Sequence, residues 1–151
     1  MKNQNINITN KKARFDYAIL QTIEAGLVLN SSEIKSIREN RANLTGAYAY
    51  PSKGELWLHN AHIAVYPYSN EPDIDPLRSR KLLLKKKQLK EYINAAEKQG
   101  LSIIPLKIYV AKHYAKILIG IGKGRRNYDK RKLLKERDAL AESRQAIKRR
   151  D

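Results

Sequence analysis

"GAYAYPSKGELWLHNAHIAVYPY" (residues 46–68) is the stretch whose reading decides the fold class. Tyr48, Tyr50, Trp57, Tyr66 and Tyr68 recur at strand spacing. Aromatic residues favour a pleated, half-buried surface, and alternation places them on one face. Pro51-Ser52-Lys53-Gly54 interrupts the pattern with turn-forming residues. The stretch therefore predicts strand, turn, strand.

Strands are also expected on either side. "YAILQTIEAGLVLN" (17–30) is aliphatic with a Gly near its middle, which predicts a strand pair or one long bent strand. "LSIIPLKIYVA" and "AKILIGIG" predict two more strands around a turn at Lys112-His113-Tyr114, with Pro105 marking an edge or a bulge. "SSEIKSIREN" (31–40) predicts a short helix capped by Ser31 or Ser32, with Ile34 and Ile37 on one side. "KLLLKKKQLKEYINAAEKQG" (81–100) predicts a longer helix that gathers Leu82, Leu83, Leu89, Tyr92, Ile93 and Ala96 and stops at Gly100. Residues 1–13 are expected to be loose, with an end that can be tied to a sheet, and residues 69–80 to form an extended loop. The expected fold is mainly β: an oligonucleotide-binding (OB) type antiparallel β-barrel with peripheral α-helices. It would span 1–124 as one domain, followed by a basic C-terminal tail over 125–151.

Charge narrows the function. The 151 residues carry a formal net charge of +16. An imbalance of that size costs self-repulsion and is commonly matched by an anionic partner. The chain has no cysteine, which excludes disulfides, thiolate zinc sites and thiol nucleophiles. The opening "MKNQNINITNKKARF" lacks the apolar stretch of a secretory signal, no run is long enough to span a membrane, and the basic segments are poor in aromatics. A cytoplasmic protein without a membrane role is expected.

No catalytic constellation stands out, and no cofactor or metal is expected. His59 and His62 are three apart in an expected strand and would face opposite sides. Asp73 and Asp75 lie in a proline-bounded loop and read as turn formers. "GIGKGRR" lacks the Lys-Ser/Thr ending of a phosphate-binding loop. Basic residues in three clusters remain: Lys11, Lys12 and Arg14; Arg78, Arg80 and Lys81 beside Lys85, Lys86 and Lys87; and Lys123, Arg125, Arg126, Lys130 and Arg131. Such groups suit phosphates, whereas sequence selection would need Asn10, Glu24 or exposed tyrosines. An RNA-binding module, a ribosomal protein with a basic extension and an RNA-acting enzyme are the alternatives. The missing constellation argues against the last.

Five blocks then carry a resemblance. "NKKARFDY" (10–17), "EAGLVL" with "SEIKSIR", "GELWLHNAHI" (54–63), "DPLRSRKLLL" (75–84) and "GKGRRNYDKR" (122–131) resemble, in order and spacing, the SsrA-binding protein (small protein B) family of bacterial trans-translation. The resemblance implies a non-enzymatic partner of transfer-messenger RNA (tmRNA). Such a protein binds the tRNA-like domain of that RNA and brings it to ribosomes stalled on messages without a stop codon. It implies the barrel in the place of a tRNA's lower half, near the rRNA of the decoding region, and the tail in the vacant mRNA channel. Alanyl-tRNA synthetase and elongation factor Tu are implied as indirect partners through the RNA, and a monomer is expected. Carried onto this sequence, the RNA-binding residues would be Asn10, Lys11, Arg14, Glu24, Leu83 and Lys116. Gly124 would set the direction of the tail, and Tyr128, Asp129, Lys130 and Arg131 would touch the ribosome. Two departures stand out: Ser31-Ser32-Glu33 replaces a usual Gly-Thr-Glu, and Phe15 stands where His is common, which removes a hydrogen-bonding group.

Residues 123–151 hold twelve Lys/Arg against five Asp/Glu. Leu133, Leu140 and Ile147 fall seven apart, but Arg137 and Arg144 interrupt the seam that docking on a core needs. The tail is expected to be disordered when free and helical on the ribosome.

Overall fold

The computed structural model describes residues 7–69, 74–111, 114–125 and 131–140. The strands are β1 (Asn7–Thr9), β2 (Tyr17–Leu27), β3 (Ala42–Asn43), β4 (Tyr48–Ser52), β5 (Glu55–His59), β6 (His62–Ile63), β7 (Arg80–Leu83), β8 (Ser102–Ala111) and β9 (Tyr114–Gly124). The helices between them are α1 (Lys11–Asp16), α2 (Ser31–Arg38) and α3 (Lys86–Glu97). Residues 131–140 form a further helix.

Seven strands make one antiparallel sheet, ordered β1-β8-β4-β5-β7-β2-β9, and β8 also pairs β9. The order β8-β4-β5-β7-β2-β9 thus returns to its start like a ring, with β1 added on β8. Alternation fills the inside. Leu56 and Leu58 of β5, Ile103 and Ile108 of β8, and Ile117 and Ile119 of β9 are buried together. α2 contributes Ile37, and α3 contributes Tyr92 and Ala95. The expected peripheral helices therefore close the core.

The hairpin of the opening stretch forms with a tighter turn than expected. Pro51 and Ser52 belong to β4, and Ser52 pairs directly with Glu55. Only Lys53 and Gly54 turn, at φ 52° and 77°. Two positive φ values in a two-residue loop match the right-handed twist of the strands. β2 is one bent strand, shifted in register between Ile19 and Gln21, and Pro105 sits at a matching irregularity in β8.

Three expectations change. "KLLL" is not the start of a helix. Arg80–Leu83 is strand β7, paired with both β5 and β2, and the helix begins at Lys86. A leucine run fits either period, and open ladder positions on two strands decide for the sheet. α2 is capped by Asn30, not by Ser31 or Ser32. Its side chain accepts from the Glu33 N–H, and Glu33 reaches back to the Asn30 N–H in a capping box. α1 begins at Lys11, inside the segment 1–13 that was expected to be loose, while β1 ties the preceding residues to β8 as that reading allowed.

α1 rests on the outside of the sheet in a small second core. Ala13 packs with Ile104 and Leu106, flanked by Tyr17, Ile19 and Leu118. The glycines of β9 allow the close approach of β2 beside this core. A Cβ at Gly122 would lie 2.7 Å from the Ala18 carbonyl oxygen, a backbone atom with little freedom to retreat. Gly122→Ala is expected to cost about 1–3 kcal/mol in urea denaturation, with the sheet shifted locally.

Candidate nucleic-acid interface

The outer face of β7, β2, β9 and β8 carries a row set by register. Tyr109 lies opposite Lys116, Lys116 opposite Gly26, and Gly26 opposite Leu83. A second row runs from Lys107 through Leu118 to Glu24. Side chains in neighbouring rows meet diagonally. Lys116 Nζ is 2.9 Å from Glu24 Oε1, and the Tyr109 hydroxyl donates to Glu24 Oε2. Lys107 Nζ stands 5.4 Å from the Tyr109 ring centroid.

Glu24 is exposed yet electrostatically held. The Tyr109 hydrogen bond, then the Lys116 ammonium, keep its carboxyl below the usual carboxylate range. It presents an ionised acceptor on a basic surface. Leu83 is 52% exposed, so this leucine is not part of the core. Gly26 makes room for it: a Cβ there would approach the Leu83 Cβ to 3.2 Å. Leu83 stands between two hollows. Glu24, Lys85 and Gln88 line one, Val28, Ile34 and Tyr114 the other, and Lys116 borders both.

α1 adds cations on the same side of the sheet. Lys11, Lys12 and Arg14 are exposed, and Phe15 is half-buried. Asn10 differs from expectation. It is 5% exposed, and its Nδ2 donates to the Leu44 and Pro105 carbonyls at 3.2 and 3.0 Å while Oδ1 caps α1 through Ala13 N–H. Its amide is tied to these internal partners and positions the basic helix.

Two members of the second basic cluster are corrected, while Lys85, Lys86 and Lys87 of that cluster are exposed. Arg80 is fully buried, and both Arg78 and Arg80 donate to Glu33. They hold the fold and are not a free phosphate patch. Asp75 forms a turn, its Oδ1 accepting from Leu77 N–H at 2.9 Å; Asp73 lies outside the described residues. His59 leans on Tyr48, ring centroids 5.3 Å apart, and meets Ser79 at 2.8 Å. Tyr48 and Tyr50 are exposed on the outside of β4, while Trp57 is half-buried. Among the described residues no helix is long and apolar enough to cross a membrane.

The tail leaves this surface at Gly124, the last residue of β9, and the next N–H, of Arg125, donates to the Asp16 carbonyl at the end of α1. Tyr128, Asp129 and Lys130 lie outside the described residues. Arg131 opens the helix over 131–140, which is exposed except at half-buried Leu133. Sequence reading missed Tyr109 and Lys107. The sequence shows only that in "LKIYVA" they sit two apart on one face of a strand; the β8–β9 register then sets Tyr109 opposite Lys116.

The family model described as "SmpB protein" matches residues 7–149. The SsrA-binding protein of Listeria welshimeri is 51% identical over 141 residues, covering 93% of this chain and 92% of the relative. That of Halalkalibacterium halodurans is 51% identical over 139 residues, covering 92% and 90%. A solved chain described as "tmRNA-SmpB: a journey to the center of the bacterial ribosome" superposes with a TM-score of 0.68 at 41% identity, covering 81% of this chain and 86% of that one. A family model spanning almost the whole chain, and relatives at half identity over nearly their full length, are what the five sequence blocks and the ringed sheet lead to: the chain belongs to the SmpB protein family.

Proposed function

We propose that the chain binds the tRNA-like domain of tmRNA and delivers it to stalled ribosomes for trans-translation. The observation that carries this is the meeting of Glu24, Leu83 and Lys116 on one exposed face, in a member of the SmpB family. The ringed sheet serves as an OB-type barrel. Lys11, Arg14 and Lys116 pair with phosphates, Glu24 accepts from a base, and Leu83 packs against the sugar or base beside it. The tail, from Gly124 through Tyr128, Asp129, Lys130 and Arg131, enters the empty mRNA channel. The chain acts in the cytoplasm as a binding factor, one copy per RNA. Alanyl-tRNA synthetase and elongation factor Tu meet it through the RNA.

Affinity and selectivity come from different groups here. Phosphate contacts supply most of the affinity and weaken with salt, while an acceptor amid lysines rewards a ligand that brings donors and penalises bare phosphate. Glu24→Ala is therefore expected to weaken binding of a tRNA-like domain transcript by about tenfold or more, the scale of a hydrogen bond to a charged group. An equal-length hairpin should bind the variant no worse than it binds the parent. Titration of both RNAs at fixed salt checks this, and equal affinities of parent and variant for the transcript would remove Glu24 from the site.

A further inference from the structure

We propose that Tyr109 is a specificity-determining residue of the RNA surface, acting by positioning: its hydroxyl fixes the Glu24 carboxylate to meet the N–H edge of an exposed nucleobase. The inference rests on the RNA-binding reading above and adds a residue to it.

The geometry supplies the reason. A strand glutamate on an open face has several rotamers, and with two lysines on the β9 side of it the carboxylate could fold onto either. Lys116 of β9 and Lys107 of β8 both lie on the β9 side of Glu24 in β2. Lys116 occupies Oε1 at 2.9 Å, and Tyr109 occupies Oε2. One donor on each oxygen leaves about one further acceptor position on each, since a carboxylate offers about four in all. The two free positions belong to adjacent oxygens, so the group can receive a base edge carrying N–H donors. A phosphate offers none and is repelled.

Lys107 is drawn aside onto the Tyr109 ring, with Nζ 5.4 Å from the centroid, and does not cover the carboxylate. Tyr109 also keeps its proton. Burial and the Glu24 hydrogen bond push its hydroxyl up to about 12, so it stays a donor throughout the physiological range. Its contact also lowers the Glu24 carboxyl, which extends the ionised acceptor to lower pH.

Tyr109→Phe tests this, because it removes one oxygen and keeps the ring. A tRNA-like domain transcript would be titrated in competition with an equal-length hairpin RNA, against the parent, Tyr109→Phe, Glu24→Ala and the double variant. The preference of Tyr109→Phe for the transcript should fall about tenfold. Its salt slope should stay unchanged, because no phosphate contact is lost. Without the hydroxyl the Glu24 carboxyl rises, so selective binding should fail at a higher pH on acidification than in the parent. In the Glu24→Ala background the tyrosine change should have no further effect. An unchanged preference and acid limb in Tyr109→Phe would overturn the inference, as would an equal loss in the Glu24→Ala background. A parent that fails to prefer the transcript would overturn the functional reading as well.

Discussion

Glu33→Ala is expected to lower stability by about 3–5 kcal/mol, the scale found when one partner of a buried ion pair is removed. Glu33 is the acidic half of the α2 capping box and also the counter-charge of two arginines. Arg80 Nε lies 2.7 Å from Oε2, and Arg78 Nε 3.1 Å from the same oxygen. Arg80 is completely inaccessible, and its remaining N–H groups donate to the Ala61 and Pro76 carbonyls at 2.7 and 3.0 Å. Without Glu33 a guanidinium would stay in the interior with no negative partner. Arg78→Ala should cost less, because that side chain is 34% exposed and water can replace its contact.

Burial pushes the Glu33 carboxyl up, but hydrogen bonds and charge from Arg78 and Arg80 outweigh it, and the net position is below the usual range. A lowered carboxyl contributes stability that is present above its unfolded value and lost as pH falls through the folded one. Urea midpoints should therefore drop on acidification in the parent, and this part of the drop should be missing in Glu33→Ala. A loss of less than about 1 kcal/mol at neutral pH would contradict the account. The same network fixes the start of β7, so Leu83, three residues on, should also be misplaced for RNA.

Removing residues 129–151 is expected to abolish tagging of stalled peptides while leaving affinity for the tRNA-like domain within about threefold, less than one lost hydrogen bond would cost. The separation follows from placement. Glu24, Leu83, Lys116 and α1 all precede Gly124. The helix over 131–140 exposes Leu134 and Leu140 at 44% and 58%, so it gains little from the core. A helix this short is marginal in water by itself. Its basic residues instead suit a channel walled by RNA, where phosphate contacts offset the cost of ordering it. Amide exchange should accordingly be fast across 133–140 in the free chain and slowed on the ribosome. Loss of tight RNA binding on truncation would mean that the selective site lies in the tail.

Much of the fold was legible because its signals are local. Alternation in β4 and β5, the Lys53-Gly54 turn, the β8–β9 pair and Pro105 all announce themselves within a few residues. Leu83 was misread because "LLL" satisfies both periods, and only long-range pairing with Gly26 selects a strand. Asn10 reads as a surface polar residue beside lysines. Its partners, the carbonyls of Leu44 and Pro105, are 34 and 95 positions away. The Glu33–Arg80 pair spans 47 positions and looked like free basic charge for the same reason. Glu24 was legible as an acceptor within a basic chain, and Lys116 entered through family resemblance; Tyr109 needed the register that brings β8 beside β9.

Recovery of RNA on the tagged full-length chain from a bacterial lysate, followed by sequencing, shows whether the chain selects a tRNA-like RNA. A small RNA with a tRNA-like domain should be strongly enriched on the parent chain, and less so on Glu24→Ala at equal protein recovery. Recovery of intact ribosomal RNA alone, with no enrichment of such an RNA, would contradict the proposed function.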